Sequence, residues 1–287
     1  MVWKSRFRTV AVGTTLLWIT VFVVVPYLFV LVFSFLTRDP DGIVTWTFTL
    51  NSYRGIVSEV FLKVCKNSFM LALGTTIITL VAGYPFAYFL TRIGERVRRF
   101  LILLMIIPFW TSSLIRTYAL IILFKANGII NTFLLALGWI DEPLNILYTQ
   151  IAVFIGLVYT LLPFMILPLY SSLQKLESSM IEAAFDLGAK TRHVIFHIVL
   201  PLTMPGIIAG STMVFLPALG LFYIPDLLGG ARSMLIGNFI KNQFLTTGNW
   251  PLGSAASVLL TLIMCLFIWV FFLSSKRAHT NSMENAA

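Results

Sequence analysis

Six stretches of this chain are nearly free of charge and long enough to cross a bilayer. They lie near Val10–Leu36, Ser68–Leu90, Phe100–Leu123, Ile146–Tyr170, Leu202–Phe222 and Leu252–Leu273. A helix of about 20 apolar residues spans the hydrocarbon core. Backbone polar groups in lipid must be satisfied within their own segment. The pattern therefore predicts an all-α, polytopic membrane protein with six transmembrane helices. Pro26, Pro85, Pro108, Pro163, Pro168 and Pro217 fall inside these runs, where each removes a backbone donor and can kink its helix. Gly206-x-x-x-Gly210 forms a small-residue ridge on the fifth run, suited to close packing within this chain or against a partner.

The links between runs carry helical patterns of their own. In Thr37–Asn67, Asn51 is a candidate N-cap, and Tyr53, Val57, Val60 and Phe61 recur at helical spacing, which predicts a short amphipathic helix. In Lys125–Tyr148, Asn127-Gly128 signals a turn, Ile129–Leu137 a short apolar helix and Gly138 its stop. The organisation expected is residues 1–62 as N-terminus, first helix and outer loop, 63–274 as a five-helix core containing a hydrophilic loop at 174–201, and 275–287 as a tail.

Composition agrees with the membrane class: 59% of residues are hydrophobic and 11% charged. Charge placement sets the orientation. Twelve basic residues (Lys4, Arg6, Arg8, Arg92, Arg96, Arg98, Arg99, Lys175, Lys190, Arg192, Lys276 and Arg277) fall on the face that holds both termini and the 174–201 loop. Eight (Arg38, Arg54, Lys63, Lys66, Arg116, Lys125, Arg232 and Lys241) fall on or near the other. Positive charge concentrates on the cytoplasmic side, so both termini are expected there. The net charge of +9 is accounted for by anchoring at anionic headgroups of membrane lipids, with no call for nucleic acid. The first run is too long for the apolar core of a signal peptide and lacks a small-residue cleavage site, so it is expected to remain as the first span.

The 174–201 loop is the most informative segment. It contains Glu182-Ala183-Ala184-Phe185-Asp186-Leu187-Gly188 and, after nine more residues, Ile198-Val199-Leu200-Pro201. Ser179 and Glu182 stand at S-x-x-E, which predicts a capping box opening a helix at about Met180. Gly188 can adopt the left-handed conformation that ends it. The expected unit is a short helix, a tight stop and a second short helix. This segment resembles the EAA loop of permease subunits of binding-protein-dependent, ATP-driven importers. The resemblance implies a type I importer permease fold, in which Glu182, Ala183, Ala184, Asp186, Leu187 and Gly188 meet a cytosolic ATPase.

Further stretches narrow the resemblance. Pro108–Tyr118, Pro201–Ile207, Leu219–Gly230 and Asn249–Gly253 are similar to spermidine/putrescine permeases. That likeness implies a second homologous permease subunit, two cytosolic ATP-binding subunits and a periplasmic polyamine-binding protein in a bacterial inner membrane. A polyamine needs carboxylates and aromatic faces. Phe222, Tyr223 and Asp226 at the outer end of the fifth run, and Trp110 in the third, are the residues expected along its path. Asp226 also fits two structural roles: pairing with Arg116 or Arg232, or capping the turn at Gly229-Gly230. Arg116 opposes a cation. Counted from Phe100 it falls about 24 Å along a continuous helix, near the headgroups. Three readings of it stand: a snorkelling anchor, a gate paired with a carboxylate, or a sign of an anionic substrate such as an organophosphonate. A ferric-ion permease and a secondary transporter also fit a chain of this class.

No phosphate-binding G-x-x-x-x-G-K-[ST] loop occurs. His193 and His197 lack a glutamate between them, so a zinc-protease reading is poor, and no metal or cofactor is expected. Cys65 and Cys265 are read as small apolar residues. The chain is expected to be non-catalytic on its own.

Overall fold

The computed structural model describes residues 2–39, 44–230 and 234–284, and the side chains at 2–9, 178, 272 and 274–284 are outside the description. Arg232, and the side chains of Lys4, Arg6, Arg8, Lys276 and Arg277, thus lie beyond it. The chain is almost wholly helical. In order it comprises α1 (Val2–Ile19), a π-helical turn at Thr20–Val24, α2 (Val25–Phe33), strands β1 (Leu36–Thr37) and β2 (Thr45–Phe48), α3 (Asn51–Ile56), α4 (Glu59–Arg92), α5 (Glu95–Ile106), a 3-10 turn at Ile107–Trp110, α6 (Ser113–Phe124) and α7 (Ile129–Ala136). There follow α8 (Gln150–Leu173), α9 (Ser178–Asp186), α10 (Thr191–Val194), a π turn at Ile195–Val199, α11 (Leu200–Leu202), α12 (Met204–Gly220), a π turn at Pro225–Gly229, α13 (Ile236–Leu245) and α14 (Trp250–Glu284).

Among the described residues, five stretches are long and apolar enough to cross a membrane: Val10–Phe33, Glu59–Arg92, Ser113–Ala136, Gln150–Leu173 and Trp250–Phe271. A sixth is a pair, Thr191–Leu202 with Met204–Gly220, bent by 65°. The bend has a chemical cause. Pro201 and Pro205 lack N–H groups, so the helical ladder fails on both sides of Thr203. The side chain of Thr203 ties the bend down: its Oγ1 donates to Val199 O at 2.8 Å, and Tyr84 Oη of α4 lies 2.9 Å from the same hydroxyl.

The third predicted run departs most from expectation. Phe100–Leu123 is not one helix. Pro108 tightens the chain into a 3-10 turn, Thr111 and Ser112 are extended, and α6 starts afresh at Ser113. The apolar stretch long enough to span there is Ser113–Ala136, which takes in α6, the Asn127-Gly128 turn and α7. Asn131 ties that turn down: its amide nitrogen donates to Lys125 O and Leu144 O, and its oxygen accepts from Leu144 N. Gly138 ends α7 at φ +67°, as its sequence predicts.

Two other local expectations shift. α3 is capped at Leu50 rather than Asn51, with Thr49 Oγ1 accepting from Asn51 N. The helix predicted through Tyr53–Phe61 is cut at Val57-Ser58, so Val60 and Phe61 belong to α4. The pairing of β1 with β2 is a small antiparallel addition to an otherwise helical chain.

The chain divides into two compact units. One comprises residues 1–63 and 239–263, the other residues 64–238 and 264–287. In the first, Phe35 stacks on Phe48, Phe33 and Phe244 meet the ring of Trp250, Ser34 Oγ lies 2.8 Å from Tyr53 Oη, and Arg38 donates to Thr247 O. No residue of the most apolar window of Val10–Phe33 is buried, which leaves that surface to lipid or to another subunit.

The second unit is built on α8 and α12. Gly206 and Gly210 face α8: a Cβ at Gly206 would overlap Ser172, and one at Gly210 would lie 2.8 Å from Met165 Sδ and 3.0 Å from its carbonyl oxygen. The small-residue ridge thus serves packing within this chain. Pro163 and Pro168 are accommodated inside α8 without ending it. Phe69, Phe215 and Phe267 form a ring cluster joining α4, α12 and α14 within the same unit.

Candidate functional site: an exposed two-turn helix and an opposite polar corner

α9 is a helix of two turns, and among its described side chains Ile181 alone is buried. Glu182, Ala183, Phe185, Asp186, Leu187 and Gly188 are exposed and Ala184 is half-buried. The predicted capping box does not form. α9 begins two residues earlier, after Glu177, so Ser179 sits inside the first turn and its hydroxyl donates to Glu177 Oε2 at 3.3 Å. The predicted stop does form. Gly188 has φ +80°, its N–H donates to Phe185 O at 2.9 Å, and Ala189 N donates to Ala184 O at 3.0 Å. That pair of hydrogen bonds is the Schellman closure, and it needs a left-handed residue at Gly188. Nothing lies within 4 Å of where a Gly188 side chain would begin. Leu187, 89% exposed, and Phe185 next to the stop put apolar surface on a loop outside the spans.

α10 and the π turn then lead into α11. His193 and His197 stack there at 5.3 Å, and among the described residues no cluster of three metal-type ligands occurs.

The second group lies near the start of α8, whereas α9 adjoins its end. A 24-residue helix is about 36 Å long, so the two groups sit at opposite ends. α12 stops at Gly220, not at Ile224-Pro225: Leu221 turns extended, and Pro225 opens a π turn, a place where its missing N–H costs nothing. Phe222 and Tyr223 pack edge-to-face at 6.1 Å, and Asp226, one turn on, is exposed. Asn238 at the start of α13 holds this corner together. Its amide donates to Phe222 O at 3.0 Å and to Asp226 Oδ1 at 3.2 Å. Neighbouring Gly237 lies so close to Gly220 O that a Cβ there would be 2.6 Å away. Asn238 was not legible beforehand, since a lone amide in an apolar helix start carries no signal. Trp110 is 83% exposed at the end of the 3-10 turn and makes no ring contact with Phe222 or Tyr223 among the described residues. The corner therefore gathers three of the four pathway candidates and leaves Trp110 outside it.

Arg116 is not at the end of a continuous helix, so the 24 Å count from Phe100 fails. It lies near the start of α6, with its guanidinium carbon 4.9 Å from the Phe109 ring centre and 5.9 Å from that of Tyr159. Tyr159 is the tenth of 24 residues in α8, about 14 Å from its start, which sets Arg116 at mid-helix depth rather than at the headgroups. Its Nε is buried without a hydrogen-bond partner, and among the described residues no carboxylate meets it. An intramembrane arginine is costly, and ring faces offset part of that cost.

Comparison with known proteins places this geometry. Residues 79–279 match the family described as "Binding-protein-dependent transport system inner membrane component". The chain belongs to that family. The match covers α9, Arg116 and the Asp226 corner alike. Among curated relatives, the spermidine/putrescine transport system permease protein PotB of Salmonella typhimurium (strain SL1344) is 48% identical over 272 residues, 95% of each chain. The proteins of that name in Haemophilus influenzae and Escherichia coli K12 are 47% and 49% identical, over 95% and 90% of this chain and 96% and 94% of their own. A solved bacterial ABC transporter involved in the import of the acidic polysaccharide alginate has the same fold: TM-score 0.75 at 15% identity, covering 96% of this chain and 98% of that one. The chain is thus a multi-pass membrane subunit with the importer permease fold.

Proposed function

We propose that this chain is a permease subunit of an ATP-driven importer carrying spermidine and putrescine across the bacterial inner membrane into the cytoplasm. The relatives named for that transport share nearly half its residues along nearly its whole length. The observation that carries the coupling role is α9: a two-turn helix, closed by Gly188 and presenting Phe185, Asp186 and Leu187 outward. It is a rigid knob for a partner's cleft. A second homologous permease, two cytosolic ATP-binding subunits and a periplasmic polyamine-binding protein complete the assembly, with both termini and α9 on the cytoplasmic side. Closure of the ATP-binding pair pushes α9, and α10–α12 pass that movement to α8 through the Gly206/Gly210 contact. Substrate crosses between the two permeases.

The Asp226 corner receives the amine at the periplasmic end. Its carboxylate is exposed, Tyr223 offers a ring face, and Asn238 holds the carboxylate in place. Arg116 stands deeper as a fixed positive charge that holds back cations until the path opens, and Trp110 lies on the same broken span. The corner is tested by Asp226→Asn. A receiving carboxylate leaves the complex assembled with intact basal ATP hydrolysis, yet weakens uptake more for spermidine, the more highly charged cation, than for putrescine. A structural carboxylate lowers protein level and affects both equally, and full uptake of both polyamines ends the proposal. Co-purification from mild detergent tests the assembly: an ATP-binding protein and a second permease should accompany the tagged chain.

A further inference from the structure

A polar cavity of about 260 Å³ opens beside α9, where α4 and α8 both reach the end of their apolar lengths. Arg92 and Arg98 contribute the charge, Tyr88, Thr91 and Gln174 the neutral polar groups, and Ile181 of α9 one wall. Arg92 is held in place: its Nη2 donates to Tyr88 Oη at 2.9 Å and its guanidinium lies 5.1 Å from that ring's centre. Arg98 is half-buried. Among the described residues neither guanidinium meets a carboxylate, whereas neighbouring Arg99 pairs with Glu95 at 3.7 Å. Capping accounts for Arg92, which stands in the last turn of α4, where a cation is favoured. It does not account for Arg98. That residue is in the opening turn of α5, whose dipole opposes a positive charge. Both guanidiniums line the one cavity, Arg92 exposed and Arg98 half-buried, and the planar fork of arginine suits phosphate oxygens. The cavity far exceeds the ~30 Å³ of a water molecule.

We infer that this cavity binds a phosphate anion, supplied by the headgroup of an anionic lipid or by free phosphate. Its place at the mouth of two spanning helices is where basic pockets meet acidic headgroups. Because Ile181 forms a wall, an occupied cavity fixes α9 against α4 and α8. Anionic lipid then stiffens the element that meets the ATPase.

The test uses the full transporter complex. It is purified in detergent, titrated with isotopically labelled phosphatidylglycerol or phosphatidylcholine, and retained lipid is counted by native mass spectrometry. Each arginine contributes about a fivefold change in retention, so Arg98→Gln retains about fivefold less phosphatidylglycerol and Arg92→Gln/Arg98→Gln about thirtyfold less. Arg98→Lys keeps most of the retention, and Arg99→Gln, an exposed and paired control, changes nothing. If the double variant does not assemble, the contrast between Arg98→Gln and Arg98→Lys decides. A separate arm adds inorganic phosphate to the complex in phosphatidylcholine nanodiscs that carry the labelled phosphatidylglycerol. Competition by inorganic phosphate against phosphatidylglycerol assigns the site to the free anion, and retention without competition assigns it to the lipid. Equal retention of phosphatidylglycerol by wild type and Arg98→Gln, with no difference in phosphate binding, overturns the inference.

Discussion

Replacing Gly188 separates backbone strain from bulk at the partner surface. Its φ of +80° lies in the left-handed region, which costs a residue bearing a Cβ about 1–2 kcal/mol. No atom lies within 4 Å of the new Cβ, so in the free subunit Gly188→Ala and Gly188→Leu carry nearly the same cost. The amides of Gly188 and Ala189 are held by Phe185 O and Ala184 O, and hydrogen exchange reads the opening of that closure directly. Both variants speed exchange there by about five- to thirtyfold. Gly188→Asn, which tolerates the left-handed region, recovers most of the protection. In the assembled transporter the two variants part. Alanine adds one carbon to the exposed knob, whereas leucine adds bulk beside Leu187 where the ATPase is proposed to dock. Substrate-stimulated ATP hydrolysis therefore falls further for Gly188→Leu than for Gly188→Ala at equal protein level. Equal hydrolysis by the two refutes the docking argument, and normal transport by both refutes the assignment of α9 as the coupling element.

Three further outcomes are expected. A cysteine at Ser179, in a background lacking Cys65 and Cys265, reacts with an impermeant thiol reagent only once the cytoplasmic face is opened, whereas one at Ser52 reacts in intact spheroplasts; reversed labelling inverts the proposed orientation. Gly210→Leu drives a side chain into Met165 Sδ and its backbone oxygen, costs about 1–3 kcal/mol and lowers the thermal midpoint in fluorescence-detected gel filtration, while Gly13→Leu, whose site is open, does not. Asn131→Leu removes three hydrogen bonds between a buried side chain and the backbone of Lys125 and Leu144, costs about 1–3 kcal/mol and speeds exchange of the Leu144 amide.

What could be read from the amino acids beforehand divides along the range of the interactions. Gly188 and Gly138 end their helices as expected, because a left-handed stop is decided within a few residues of itself. Helical spans were legible from length and apolarity alone. The break at Pro108–Ser112 was not, since proline inside an apolar run fits a kink and a full stop equally well, and the extended Thr111 decides between them. The start of α9 differs from the capping-box expectation because Glu177, a poor cap by type, precedes a serine pair that fits the first turn. Asn238 over Phe222 and Asp226, Phe109 and Tyr159 around Arg116, and Tyr84 on Thr203 join residues 7 to 119 positions apart. No local pattern encodes such contacts. The depth of Arg116 departs from expectation for the same reason: the helix that a count from Phe100 presumes is interrupted at Pro108–Ser112.

The measurement that bears most directly on the account is ATP-driven uptake by the purified complex in proteoliposomes, with the binding protein supplied outside the α9-distal face and labelled spermidine or putrescine as cargo. The account predicts uptake of both polyamines that requires ATP on the α9 side, is competed by the other polyamine and not by an anionic oligosaccharide, and is abolished by Gly188→Leu. Uptake that persists without ATP, or a complex that moves an organophosphonate and neither polyamine, would contradict it.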